Sequence, residues 1–217
     1  MASCYVSLYY RGMVSPLSSL GRGVLRPRDA ESLYAQPHVE FRRWEKAGVL
    51  LKVAHGYYAH IPEASRGGNW RPEIEALALG IGQADYQKNE VALMHLSAAR
   101  IHGAIPRALA VAVVAVPKRR PSLETTCGRI IFVQRSVSLL KKIRIDTELA
   151  TGWCTSIEQT ALDLAARPDL VKGLTAVTQE AARTLFDRVS EKKLQAVIRE
   201  QRMGSALIRL KAWAIDA

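Results

Sequence analysis

Residues 23–62 constrain the fold more than any other part of the chain, because helical spacing gives way to strand spacing within this one segment. Pro27 predicts the start of a short first helix, and Pro37 separates it from a second helix over residues 39–47. The positions that would face inward are Ala30, Leu33, Phe41, Trp44 and either Ala47 or Gly48. The pattern therefore predicts two consecutive helices joined by a turn.

Strand signals follow the second helix. Gly48 is typical of a helix end, and residues 49–53 are apolar apart from Lys52, with valine at both ends. A turn at residues 54–56 leads into a second predicted strand over residues 57–61. This order is that of a winged helix-turn-helix, in which the second helix enters the major groove of DNA and the hairpin contacts the backbone. The alternative is a small helix–hairpin module that packs on or contacts only protein.

The face of the second helix that lies opposite Phe41 and Trp44 is polar and basic. Such side chains contact base edges and phosphates in protein–DNA complexes. The candidates for groove contact are Gln36, His38, Arg42, Arg43 and Lys46, and those for contact by the wing are Lys52, His55 and Tyr57. Arginine is also ordinary on a solvated helix face, so that interpretation stays open.

The formal net charge of +11 is distributed unevenly along the chain. Residues 88–145 hold eleven Lys or Arg against two Asp or Glu, whereas residues 1–62 hold eight against four. A basic surplus concentrates polyanions near a protein surface. We therefore predict a second basic surface, for flanking DNA or an acidic partner, formed by Lys118, Arg119, Arg120, Arg129, Arg135, Lys141 and Lys142. Solvated charges without a common face are the alternative.

The rest of the chain mixes helix and strand signals. Strands are predicted over residues 109–117, 129–134 and within 139–149, and helices over residues 74–81, 88–102, 174–189, 190–202 and 205–215, with one more in residues 1–22. Thr155 and Glu158 match a capping box, which predicts a further helix start. The predicted fold class is α+β: a winged helix-turn-helix in residues 1–62, a linker in residues 63–71, and in residues 72–217 a mixed α/β domain with a small sheet and a helical C-terminus.

Residue patterns argue against several classes of protein. The three cysteines are far apart and form no CxxC pair, which argues against a disulfide framework and a zinc ribbon. His95 and His102 lie too far apart on a helix for zinc ligands, and we interpret Glu158 and Asp163 as cap and surface residues. No catalytic residue, metal or cofactor is predicted. Without a spanning apolar stretch or a secretory signal, we expect a cytoplasmic protein that does not bind membranes.

Two groups of residues resemble one known family. An Arg-bearing helix that ends in Gly-x-Leu, followed by a Gly-x-Tyr wing, is similar to the N-terminal domain of AbiEi-type antitoxins, here Arg42, Arg43, Gly48, Leu50, Gly56 and Tyr58. The segments HLSAARIHGAIPR and CTSIEQTALDLAARPDLV resemble that family's second half, with Thr155, Ser156, Glu158, Thr160, Asp163 and Leu164 at the motif positions. The resemblance covers roughly residues 20–215.

The resemblance implies an antitoxin of a type IV (abortive infection, phage defence) toxin–antitoxin system. Such a protein would bind operator DNA, repress its own operon and counter a nucleotidyltransferase-like toxin. Two alternatives remain open: a free-standing winged-helix transcription factor whose second domain senses a ligand or partner, and an enzyme that acts on nucleic acid. A neighbouring toxin gene would favour the antitoxin. Metal-dependent cleavage of a plasmid would favour the enzyme. The oligomeric state is not predicted.

Overall fold

The computed structural model describes residues 23–215, which divide into two compact units, one ending at Arg71 and one beginning at Pro72. The helix predicted within residues 1–22 lies outside the described residues. No helix in the described range is long and apolar enough to cross a membrane. Each unit contains helices and a sheet of its own, so the predicted α+β class is confirmed.

The N-terminal unit packs one α-helix on a small antiparallel sheet. Its elements are β1 (Val24–Leu25), a 3₁₀ helix (Pro27–Ala30), α1 (Pro37–Lys46), β2 (Leu50–Ala54), β3 (Tyr57–His60) and a 3₁₀ turn (Glu63–Ser65). The strand order is β1-β3-β2. The hairpin β2–β3 was predicted, whereas β1 was not, because two residues carry no periodicity of their own.

The first predicted helix is wrong in its length and in one of its inward positions. It is a single 3₁₀ turn in which Ala30 is fully buried, whereas Leu33 lies beyond it with 46% of its surface exposed. Asp29 accepts hydrogen bonds from the backbone and the guanidinium of Arg26, which closes this turn on itself. Pro37 begins the next helix only seven residues after Ala30, so the first helix has no room for a second turn that would bury Leu33.

The C-terminal unit contains a mixed six-stranded sheet and six helices within residues 72–215. The strands are β4 (Ala92–Leu93), β5 (Val111–Val116), β6 (Leu123–Thr125), β7 (Gly128–Gln134), β8 (Lys142–Asp146) and β9 (Thr151–Thr155). The helices are α2 (Ile74–Asp85), α3 (His95–Ile101), α4 (Ile157–Ala166), α5 (Thr175–Phe186), α6 (Glu191–Gln201) and α7 (Gly204–Ile215). In the order β6-β7-β5-β4-β9-β8, β5 is parallel to β7 and β4 to β9.

Strand β5 is buried on both faces, which explains its uninterrupted apolar sequence. Val111, Val113 and Ala115 belong to the core that the sheet shares with helices α3 to α7, and α2 packs against the same strand. The prediction of a buried strand here is confirmed. The helix predicted over residues 74–81 is confirmed too, but it is buried on every side from Ile74 to Gly82 rather than amphipathic.

The helix predicted over residues 88–102 is wrong in its first half. Lys88–Glu90 is a 3₁₀ turn, and β4 lies between β5 and β9 in the middle of the sheet. Both neighbouring strands pair with its two residues, and this tertiary pairing overrides the local helical spacing. Only α3 remains helical, and Gly103 follows it with a positive φ, as expected for a helix end.

Strands β6 and β9 were also missed, and β9 shifts the predicted start of α4. Thr155 is the last residue of β9, and the N-cap of α4 is Ser156, whose hydroxyl accepts a hydrogen bond from the backbone N–H of Gln159. The carboxylate of Glu158 instead accepts from the backbone N–H of Ser190 at the start of α6. The capping box at Thr155 is therefore wrong by one residue.

Candidate functional site

Helix α1 separates an apolar face from a basic one. Phe41 and Trp44 are buried with 0% and 5% of their surface exposed, whereas His38, Arg42, Arg43 and Lys46 are exposed, as is Gln36 just before the helix. The buried side chains point into the unit's core, so helical geometry directs the positions between them outward. The structure therefore places the predicted groove residues of α1 on its solvent side.

An aromatic cluster holds this helix in place. The rings of Phe41 and Trp44 lie 5.2 Å apart, Phe41 contacts Tyr58 of β3 at 5.1 Å, and Tyr34 meets Trp44 edge-on at 5.4 Å. Leu25, Ala30 and Leu50 complete the buried core. Because these contacts come from before and after α1, they fix both its position and its rotation about its axis.

The hairpin beside α1 carries the predicted wing residues. Lys52 on β2 and His55 in the turn are exposed, and Tyr57 at the start of β3 is half-buried. Gly56 adopts a φ of +79° in the turn, a conformation that side chains rarely tolerate. The pairing register of β2 and β3 shifts between Lys52 and Ala54. The hairpin is therefore short and irregular at its exposed end.

The cations of α1 are available for binding. Arg42, Arg43 and Lys46 form no ion pair within 4 Å among residues 23–215. Glu45 and Arg42 both lie near the Tyr58 hydroxyl: burial raises its pKa first, Glu45 raises it further, and Arg42 lowers it. The side of α1 that faces solvent therefore presents three unpaired cations next to one carboxylate.

The cations predicted to form a second basic surface mostly contact groups of the C-terminal unit itself. Arg120 pairs with Asp85 and lies 3.9 Å above the ring of Phe132. The remaining contacts are Arg129 with Glu124, Arg135 with Asp163 and Gln201, Lys141 with Glu200, and Lys142 with the Val137 carbonyl and the Trp153 ring. Lys118 and Arg119 are exposed and have no such contact among the described residues.

Asp163 and Glu158 are buried, which corrects the prediction that they are surface and cap residues. Asp163 lies on the inner side of α4 with 2% of its surface exposed, and burial raises its pKa to about 6 against the opposing effect of Arg135. Its Oδ1 accepts from Gln159 at 3.1 Å and from Arg135 at 3.4 Å, whereas its Oδ2 has no hydrogen-bond partner. The motif containing these residues thus contributes to a buried polar network.

The two histidines of the HLSAARIHG segment contact backbone carbonyls rather than each other. His95 Nε2 lies 3.0 Å from the Arg167 oxygen, and His102 Nε2 lies 2.7 Å from the Thr155 oxygen. Burial lowers the pKa of His95 to about 4 and that of His102 in the same direction, so both rings are neutral at pH 7. No group of three or more His, Cys, Asp or Glu in residues 23–215 is arranged to hold a metal.

Comparison with known proteins identifies the family of the C-terminal unit. The family model described as the AbiEi antitoxin C-terminal domain matches residues 90–213, which is more than half of the chain. The chain belongs to the AbiEi antitoxin family. This membership supports an antitoxin of a type IV toxin–antitoxin system and agrees with the predicted resemblance. No curated protein matches the chain in a sequence search.

The match to the AbiEi domain begins just before β4 and ends within α7, so it includes all six strands of the larger sheet. It also includes Arg135, Gln159 and Gln201, whose side chains meet around Asp163. Sequence reasoning did not bring these residues together. The available signal was the pair of polar residues at 159 and 163, which lie four apart on one face of the helix.

Proposed function

We propose that this member of the AbiEi family is a DNA-binding transcriptional repressor as well as an antitoxin. In this proposal it autoregulates its operon from double-stranded operator DNA and counters a nucleotidyltransferase-like toxin in the cytoplasm. The observation that carries the proposal is the outward face of α1, where Arg42, Arg43 and Lys46 lie unpaired beside a β-hairpin. Membership of an antitoxin family supplies the biological context.

The proposed binding mode is that of a winged helix-turn-helix in residues 1–62. Helix α1 would enter the major groove, with Arg42, Arg43 and Lys46 reaching base edges and phosphates and with Gln36 and His38 at the helix entry. Lys52, His55 and Tyr57 of the hairpin would contact the sugar–phosphate backbone. The exposed basic face of α1 and the exposed hairpin residues Lys52 and His55 support this mode, because their side chains take no part in the aromatic core.

In the same proposal residues 63–71 are a linker and residues 72–217 the antitoxin-like domain. The second basic surface is reduced to the loop after β5, because five of its seven predicted cations already contact the unit itself. Lys118 and Arg119 are exposed in that loop and would add contacts to flanking DNA or to an acidic partner. Phosphate contacts of this kind strengthen binding without regard to sequence.

The test of DNA binding is a fluorescence-anisotropy titration with the duplex upstream of the gene and with a scrambled duplex. The double variant Arg42→Ala, Arg43→Ala should weaken specific binding by about 100-fold or more, because each good base contact contributes roughly 1–3 kcal/mol. The matched control is Lys192→Ala, Lys193→Ala, which removes two adjacent exposed positive charges from α6. Wild-type affinity in the Arg42, Arg43 variant, or an equal loss in the control, would reject the assignment.

The antitoxin role has its own test. Co-expression with the neighbouring nucleotidyltransferase-like toxin should restore growth, and the Arg42, Arg43 double variant should restore it equally well when supplied from an unrelated promoter. This outcome is expected because the family match lies within the C-terminal unit. Rescue that depends on Arg42 and Arg43 would instead show that repression of the operon accounts for protection.

A further inference from the structure

A groove opens in the C-terminal unit between the chain that follows β7 and the junction of α6 with α7. Its volume is about 490 Å³, and its walls include Arg135, Ser138, Leu139, Lys141, Gln201 and Met203. Small-molecule sites in proteins typically measure roughly 300–1,000 Å³. The groove therefore has the size of a site for a compact organic ligand.

The wall of the groove that follows β7 combines cations and hydroxyls with an apolar side chain. Arg135 begins this segment and Lys141 ends it, and between them Ser136 Oγ lies 2.9 Å from Ser138 Oγ. Leu139, beside Lys141, has 69% of its surface exposed although it is a large apolar residue. Donors with a positive charge next to an uncovered apolar surface suit a ligand that has an anionic head and an apolar body.

The floor of the groove is immobilised by the buried network around Asp163. Arg135 donates to Gln201 Oε1 at 3.1 Å, and Gln159 donates to the same oxygen at 3.1 Å. Gln201 in turn donates to the Leu139 carbonyl at 3.1 Å, which ties α6 to the opposite wall. Because these bonds restrict the rotamers of Arg135 and Gln201, the groove is organised before any ligand enters.

The network also contains an unexplained cost. Asp163 is 2% exposed and its Oδ2 has no hydrogen-bond partner among the described residues. An unsatisfied buried polar atom costs roughly 1–3 kcal/mol, and such atoms are rare in folded proteins. Asp163 does not line the groove itself, but Arg135, which does, donates to its Oδ1 at 3.4 Å, so the unsatisfied oxygen belongs to the network next to the groove.

An ion pair crosses the groove at its mouth. Lys141 Nζ lies 2.8 Å from Glu200 Oε2, and the two side chains are 47% and 52% exposed. Exposed pairs of this kind contribute about 0–1 kcal/mol, so an incoming anion would compete with Glu200 for Lys141 at little cost.

We propose that this groove binds a small organic anion, whose phosphate or carboxylate head contacts Arg135 and Lys141 and whose apolar or aromatic body packs on Leu139 and Met203. The site lies within the C-terminal unit, and this proposal does not depend on the proposed DNA binding by α1. It gives the antitoxin-family domain a means of responding to a metabolite. The donors and the apolar wall recognise one compact molecule, whereas a duplex would meet the carboxylate of Glu200 at the mouth.

The test uses the full chain and isothermal titration calorimetry with the four ribonucleoside 5′-monophosphates and with benzoate, which separate a phosphate head from a carboxylate head. At least one of these probes should bind with a Kd below about 1 mM, equivalent to roughly −4 kcal/mol. Lys141→Glu should weaken that binding about tenfold or more through charge repulsion. Ser138→Trp should block the groove sterically. Both side chains are exposed, so both variants should retain the wild-type circular dichroism spectrum.

The matched control is Lys192→Glu, which makes the same charge change near the start of α6. Lys192 lies about 13 Å along the helix axis from Gln201, the residue of α6 that lines the groove. It should leave the affinity within about twofold, because exposed charges more than a Debye length apart are screened. The proposal fails if none of the probes binds at about 10 mM, a concentration beyond millimolar affinity. It also fails if Lys141→Glu and Ser138→Trp bind as the wild type does, or if only duplex DNA competes for the groove.

Discussion

Helix α1 in the N-terminal unit presents Arg42, Arg43 and Lys46 to solvent without an ion-pair partner among residues 23–215, whereas Arg100 and Arg120 in the C-terminal unit each contact a carboxylate. The second region nevertheless has the larger formal surplus, with eleven basic against two acidic residues in 88–145. The number of cations in a segment is therefore a poor guide to its binding surface. What matters is whether the fold supplies each cation with a partner, and how exposed that pair is.

The burial of polar groups differs between the units in the same way. All the buried polar or charged side chains of the described residues lie between Glu75 and Thr178, and the N-terminal core is formed by apolar and aromatic side chains. The larger unit gives each of Glu75, His95 and Asp163 at least one hydrogen-bond partner, although one polar atom of each side chain stays unpaired. The smaller unit lacks that depth, so its charges remain on the surface and available to a ligand.

The largest expected difference is in stability after loss of one arginine from each unit. Arg100→Ala should lower the free energy of unfolding by about 3 kcal/mol or more, because it leaves Glu75, which is 1% exposed, without its partner at 2.6 Å. Arg42→Ala should change it by less than about 0.5 kcal/mol, as is usual for surface sites. Urea denaturation of both variants measures this contrast, and equal costs would contradict it.

The next effect concerns the pH dependence of stability, since two buried groups of the C-terminal unit change the free energy of unfolding in opposite directions as pH falls. Asp163 has a pKa of about 6 instead of 3.8, so the folded state holds its proton more tightly and this contribution to stability rises as pH falls through that window. His95 has a pKa of about 4 instead of 6.5, so its contribution falls as pH drops from 6.5 to 4. Each shift corresponds to roughly 3 kcal/mol, and the two nearly cancel.

Single variants should reveal the two opposing contributions to the dependence of unfolding free energy on pH. Asp163→Asn should make the loss of stability between pH 7 and pH 4 about 3 kcal/mol larger than in the wild type, and His95→Asn should make it smaller by a similar amount. Asparagine tolerates the positive φ of 54° at His95. Urea denaturation at both pH values gives the comparison, and hydrogen exchange of β2 and β3 should not respond. Parallel pH profiles for all three proteins would disprove the mechanism.

The smallest expected effect is one that the two units should share. Gly56 in the hairpin and Gly103 after α3 have φ values of +79° and +72°, and an added Cβ would meet nothing within 4 Å at either position. Alanine at each site should cost about 1 kcal/mol, because the left-handed conformation is a local backbone penalty. Hydrogen exchange measures the cost within each unit. A much larger cost at one glycine would locate a difference between the units in the backbone rather than in charge pairing.

The extent to which sequence could predict this fold depended on the length of each element. The hairpin β2–β3, the buried strand β5 and the helices α4 to α7 were predicted, because each has enough residues to show a period. Strands β1 and β4 have two residues each and were missed. The partners across the sheet define these strands, and such partners are distant in the sequence.

The candidate DNA-binding face could likewise be predicted only in part from the sequence. The sequence alone determined that Phe41 and Trp44 lie inward and Arg42, Arg43 and Lys46 outward, because helical spacing is a local property. Only the tertiary structure decided which cations remain unpaired and which residues surround Asp163. The contacts of Asp163 with Arg135 and Gln159, and that of Arg135 with Gln201, join chain segments up to 66 residues apart, and a contact of that kind leaves no periodic trace in the sequence.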